Sequence, residues 1–177
     1  MDHRRYGTEA SAIRRAILLA GLAGAAAEVV WIGLFCASTP LSGGEVLRQI
    51  TASIVPAAAG SAWAPALGLA IHVVLGLAVA GAFAAGVWQP WARRRGTYVT
   101  FAAALAALAL IWTFNFFVLL PAINPLFPGL MPYGVTLLSK LLFAAAMAAT
   151  LEHAQKPALV RHFPPVGRFA NTRMPRA

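Results

Sequence analysis

The sequence predicts an all-α, polytopic membrane protein: a bundle of four transmembrane helices with a short interfacial helix in its first outer loop. Three observations carry this expectation. Of 177 residues, 60% are hydrophobic and 11% charged, against about 45–50% and about 25% in soluble domains, and a globule of this size cannot bury so much apolar surface. Four uninterrupted apolar windows occur, each near the roughly 20 residues that cross a hydrocarbon core of about 30 Å. Basic residues collect in alternate connections between those windows.

The first span is expected over 16–38, preceded by a basic cytoplasmic segment over 1–15. Its apolar run exceeds the 7–15 residues of a signal-peptide core, contains Glu28 and precedes no convincing A-x-A site, so it reads as a retained helix. Cys36 reads as a small packing residue, and a single cysteine excludes an internal disulfide framework or a Cys-rich zinc site. In the outer loop, Ser42-Gly43-Gly44-Glu45 has the spacing of a capping box. Val46, Leu47, Ile50, Ile54 and Val55 follow at near-helical spacing, opposite Glu45, Arg48, Gln49 and Ser53. That pattern predicts an amphipathic helix at the interface, with Glu45 and Arg48 in a segment placed to act as an outer lid.

The second span is expected over 65–88 and the third over 98–120. Only a polar turn around Arg93-Arg94-Arg95-Gly96 separates them, which predicts antiparallel neighbours. The loop from Pro121 to Gly129 holds three prolines and no charge; it is expected to be stiff, extended and a cap on the bundle's outer mouth. The fourth span follows over 131–151. The four spans define a transmembrane domain over 16–151, and the basic, Pro-containing tail over 152–177 is expected to be mostly disordered. Trp63 and Tyr133 at outer ends, and Trp88, Trp91 and Tyr98 at inner ends, match interfacial aromatic belts. No internal repeat indicates an inverted-repeat transporter.

Lys and Arg near span ends are retained in the cytoplasm. Of the 14 bases, all but Arg48 and Lys140 lie before the first span, between the second and third, or after the fourth. Both termini are therefore expected in the cytoplasm, with the protein in the inner membrane of the cell. The net charge of +9 then acts as an insertion signal with attraction to anionic headgroups. Nucleic acid is excluded as a partner because no basic stripe is interleaved with aromatics on a soluble domain. The lipid bilayer, other membrane proteins and a second copy of the chain remain.

An ionisable side chain at the centre of a span costs about 2.5–3.5 kcal/mol on insertion scales and should face the bundle interior and a partner. Glu28, His72 and Lys140 lie in the first, second and fourth spans, and Asn115 adds an amide in the third. At about 1.5 Å per residue from the outer end of each span, they sit about 15, 10, 13 and 8 Å down respectively, in one layer. Ala20-Gly24-Glu28, Gly68-His72-Gly76-Ala80 and Thr136-Lys140-Ala144-Ala148 are rows with four-residue spacing, so each polar group shares a face with small residues that let helices meet. Asn115 follows the bulkier row Ala103, Ala107, Ile111. A Glu28–Lys140 pair is expected, with His72 and Asn115 completing its hydrogen bonds.

No metalloprotease, nucleophile-elbow, Walker or dinucleotide motif occurs. One histidine and one carboxylate at membrane depth make no metal site. His72 lacks a second histidine at its depth for bis-histidine haem ligation, which leaves a single-histidine haem or a quinone as the only cofactor readings beside none. A Ser139/Lys140 dyad is disfavoured because consecutive helical residues point about 100° apart. With Leu67-Gly68-Leu69-Ala70-Ile71-His72, the continuation to Gly76 and the arginine turn, the chain resembles small four-span bacterial inner-membrane proteins of unassigned function. That resemblance carries over no catalytic residue. The expected role is a non-enzymatic accessory or interaction component whose polar layer specifies packing. The alternative is a small transporter or proton-coupled permeation protein using Glu28, His72 and Lys140.

Overall fold

The structure, a computed structural model, describes residues 3–160, and side chains over 11–154. Among these it is all-helical, without a strand. Four helices are long and apolar enough to cross a membrane: Ser11–Ala37, Ala64–Trp88, Thr97–Ile123 and Tyr133–Ala154. They belong to α1 (His3–Ala37), α3 (Ala64–Phe83, continued by a π turn to Trp88), α4 (Thr97–Phe114, continued by a π turn to Leu119) and α6 (Tyr133–Val160). A shorter helix, α2 (Gly43–Ile54), occupies the first connection, and α5 (Leu120–Ile123) ends the third long helix.

Two helices overrun the expected spans. α1 begins at His3, well before residue 16, and α6 continues past 151 to Val160, so helix occupies part of the tail expected to be disordered. The rest of that tail, 161–177, lies outside the described residues.

Both π turns end two residues before a proline, Pro90 and Pro121. A proline ring displaces the carbonyl four residues back and donates no N–H, and a widened turn relieves that conflict; Gln89 N–H bonds instead to the Ala84 carbonyl, five residues back (2.9 Å). The third connection is not extended as expected. Pro121 is the second residue of α5, and Pro128 lies in a 3₁₀ turn over Phe127–Gly129, a first-turn position where the missing N–H leaves no bond unmade.

Side by side, the long helices run α3, α1, α6, α4. Small residues permit the inner contacts. A Cβ on Gly24 of α1 would stand 2.9 Å from the ring of Phe143 on α6. Although the arginine turn joins α3 to α4, the two do not pack along their length, which corrects the expectation of neighbours; they meet through the turn and diverge from it. Near the turn the bundle is dense, with Ala84, Trp88, Ala92, Ala104, Met147 and Leu151 in one core. Trp88, at 2% exposure, is therefore a core residue rather than a belt residue, whereas Trp63, Tyr98, Trp91 and Tyr133 are exposed. At the opposite end the gap between α3 and α4 leaves a cavity.

Candidate functional site

The cavity has a volume of about 480 Å³, and Glu28, His72, Asn115 and Lys140 all line it. α1 and α6 present the ionic pair. Lys140 Nζ donates to Glu28 Oε1, and Ser139 Oγ lies 3.1 Å from the same oxygen and 2.7 Å from the Thr136 carbonyl. Its single proton is shared between two acceptors. Glu28 is buried at 6% exposure. The carboxylate reaches both Ser139 and Lys140 because it enters between their diverging directions. Adjacent helical residues that cannot form a dyad with each other can still grip a third group. Sequence reasoning passed over Ser139 for this role, because a serine in a span carries no cost that demands a partner.

His72, on α3, completes an ionisable triad. Its Nε2 stands 3.9 Å from Glu28 Oε2, beyond hydrogen-bond range, and neither buried atom has a hydrogen-bond partner. Asn115 does not complete the set as expected. It opens the π turn of α4 and lines the cavity, but its amide makes no hydrogen bond among the described residues. The π turn nevertheless turns Asn115, Phe116 and Leu119 toward the cavity together, and such turns recur at functional sites.

α2 covers the cavity with Val46, Leu47, Ile50 and Ile54. Ser42 caps it, its Oγ accepting from Glu45 N–H (3.1 Å). The reciprocal half of the capping box is not made: Glu45 Oε1 accepts from Gln49 (2.9 Å), and Oε2 stands 3.7 Å from Arg48 Nε. Glu45 and Arg48 do not line the cavity. They lie on the side of α2 away from the cavity, Arg48 donating to the carbonyls of Ala59 (3.0 Å) and Ser61 (3.1 Å). Thr51 Oγ1 donates to the Ala64 carbonyl at the start of α3 (2.6 Å).

From the other side, Asn124 Nδ2 lies within 3.2 Å of Gln49 O, Gln49 Oε1 and Ser53 Oγ, which fastens the third connection to the lid. Asn124 was legible as the one polar side chain in a loop of prolines and apolar residues. Trp112 Nε1 donates to Thr136 Oγ1 (3.0 Å), and Trp31 Nε1 to the Val135 carbonyl (3.0 Å), holding α4 and α1 to the start of α6.

Among the described residues no three His, Cys, Asp or Glu side chains gather where a metal ion would be held. Comparison with protein families, curated proteins and solved structures returns no match.

Proposed function

We propose that this chain is a non-enzymatic, multi-pass protein of the cell inner membrane, crossing it four times with both termini in the cytoplasm, and that Glu28, His72 and Lys140 form the working site of a small carrier or proton-coupled permeation protein. Membrane residence is supported by the outward surface of the long helices. Leu18, Val30, Leu34, Val74, Leu110 and Phe114 are all exposed, an arrangement unfavourable in water and satisfied by acyl chains. The basic connections described above support the orientation. The lipid bilayer is its first partner, and association with other membrane proteins or a second copy is compatible with the same surface.

One observation carries the working site. A pair that only pins helix register needs the Lys140–Glu28 contact, and that contact alone explains neither a cavity beside it nor two buried polar atoms, Glu28 Oε2 and His72 Nε2, facing each other at 3.9 Å without a hydrogen bond. Leaving buried polar atoms unpaired costs about 1–3 kcal/mol each. A carboxylate and an imidazole facing each other across one cavity are proton-exchanging groups of the kind a permeation site requires.

The test is proton entry into proteoliposomes under an imposed potassium diffusion potential, followed with an internal pH dye. Wild type is expected to acidify the lumen several-fold faster than empty vesicles, and Glu28→Gln, reconstituted to equal density and monodisperse on gel filtration, to fall to the empty-vesicle rate. Equal rates for wild type and Glu28→Gln would overturn the reading and leave the pair a packing device.

A further inference from the structure

We infer that the cavity binds a neutral, lipophilic alcohol taken from the bilayer, with its hydroxyl seated between Glu28 Oε2 and His72 Nε2. The inference rests on the polar set being a working site and adds the chemical class of its ligand.

The donor and acceptor inventory selects the headgroup. Glu28 Oε2 belongs to a carboxylate, which only accepts, so an occupant that satisfies it must donate. An oxygen about 2.8 Å from each of two atoms spans the 3.9 Å that separate Oε2 from Nε2. With His72 carrying a proton on Nε2, a hydroxyl placed there donates to Glu28 and accepts from the imidazole N–H, whereas a ketone, ester or ether brings no proton. Formal charge is disfavoured in both signs. Lys140 and Glu28 already neutralise each other, so a charged ligand would be buried without a counter-ion of its own.

The remaining wall selects the body of the ligand. Away from the polar set, Ile50, Ile54, Leu75, Val79, Ile111 and Leu119 line the cavity, a wall that suits an apolar body. A volume of about 480 Å³ lies within the range of about 300–1,000 Å³ typical of small-molecule sites. Entry is lateral. α3 and α4 diverge at this level, and Leu75 and Ile111, one on each, line the cavity while remaining 50% and 36% exposed. A molecule dissolved among acyl chains reaches the hydroxyl seat through that gap without crossing water.

The test is photolabelling in phospholipid nanodiscs with a diazirine-bearing long-chain alcohol, its methyl ether and the carboxylic acid of the same chain, the sites being mapped by mass spectrometry. The alcohol is expected to label cavity residues such as Leu75 and Ile111 several-fold more than the ether or the acid does. His72→Phe, which leaves the Glu28–Lys140 contact in place, is expected to bring the alcohol down to the ether's level. Competition by a diacylglycerol or by an alkyl-substituted hydroquinone distinguishes an aliphatic from a phenolic hydroxyl source.

Equal labelling by alcohol and ether, preference for the acid, or label confined to outward residues such as Val74 and Leu110 overturns the inference, even if His72→Phe fails to fold, because the wild-type comparison stands alone. Glu28-dependent proton entry without alcohol preference removes the ligand and spares the permeation reading. Alcohol preference without proton entry spares the ligand and removes permeation.

Discussion

At the scale of single residues, the Glu28 carboxylate gathers two contacts on one oxygen, since Lys140 and Ser139 both reach its Oε1. Removing one member of a buried pair strands the other charge, at about 3–5 kcal/mol. Glu28→Gln and Lys140→Met are therefore each expected to destabilise the protein by about that amount, and the double substitution by less than either. Denaturant unfolding in detergent, read as a double-mutant cycle, measures the coupling; a double mutant no more stable than the worse single one would mean the two side chains do not act as a unit. Ser139→Ala, removing a bond to a charged group, is expected to cost about 1.5–3 kcal/mol on the same scale. Glu28, His72 and Lys140 were legible because an ionisable group in an apolar window is conspicuous on energetic grounds alone. Ser139 was not, because a hydroxyl can bond its own helix, as it also does here with Thr136. The unbonded state of Asn115 was not legible either, since it follows from a π turn that straight-helix geometry does not anticipate.

At the scale of elements, α2 is held to α3 by a close approach that only glycine permits. A Cβ on Gly68 would stand 2.0 Å from the Leu47 carbonyl oxygen, and because that obstacle is backbone, α2 itself must move. Gly68→Ala is accordingly expected to loosen the lid, seen as amide exchange at least ten-fold faster across 43–54, while Gly33→Ala, with nothing within 4 Å of its added carbon, leaves exchange unchanged. Asn124→Ala removes the ties from the opposite side and is expected to speed exchange in the same helix. Protection of α2 indifferent to both changes would show that the lid is held by its apolar face alone. The existence and start of α2 were legible from Ser42 and the spacing of its apolar face, and the four long helices from their windows. The divergence of α3 from α4 was not. A short turn sets only the direction of the second helix and the proximity of two ends, whereas the lateral partner is set by side-chain volume: α3 meets α1 where a Cβ on Gly76 would touch Ala25 at 3.2 Å, while α4 places Trp112 against Thr136 of α6. The two π turns had a local cause in Pro90 and Pro121, but a proline two residues downstream specifies strain without specifying how the helix relieves it.

At the scale of the whole molecule, the proposed working site has a direction, because cavity and lid occupy one end of the bundle and the dense core around Trp88 and Met147 the other. The arginine turn, Arg93 to Arg95, joins the dense end, with Arg95 lying over the Trp91 ring at 4.7 Å and Arg93 over that of Trp88 at 5.6 Å. Under the proposed orientation, with basic residues retained in the cytoplasm, the cavity would lie in the outer half of the membrane with α2 at its outer face, and an alcohol would enter from the outer leaflet. This orientation is expected to appear in cysteine labelling of intact cells. In a Cys36→Ala background, Ser61→Cys beside the lid should react with a membrane-impermeant maleimide, and Arg94→Cys only after permeabilisation. Replacing all three turn arginines by asparagine should erode the asymmetry, and a mixed population at Ser61→Cys is expected. The reverse pattern in the otherwise unaltered chain would put the lid in the cytoplasm and require the alcohol to enter from the inner leaflet, while leaving the geometry of Glu28, His72 and Lys140 untouched. Orientation depends on charges outside the spans, and the site on charges within them, so each can fail without the other.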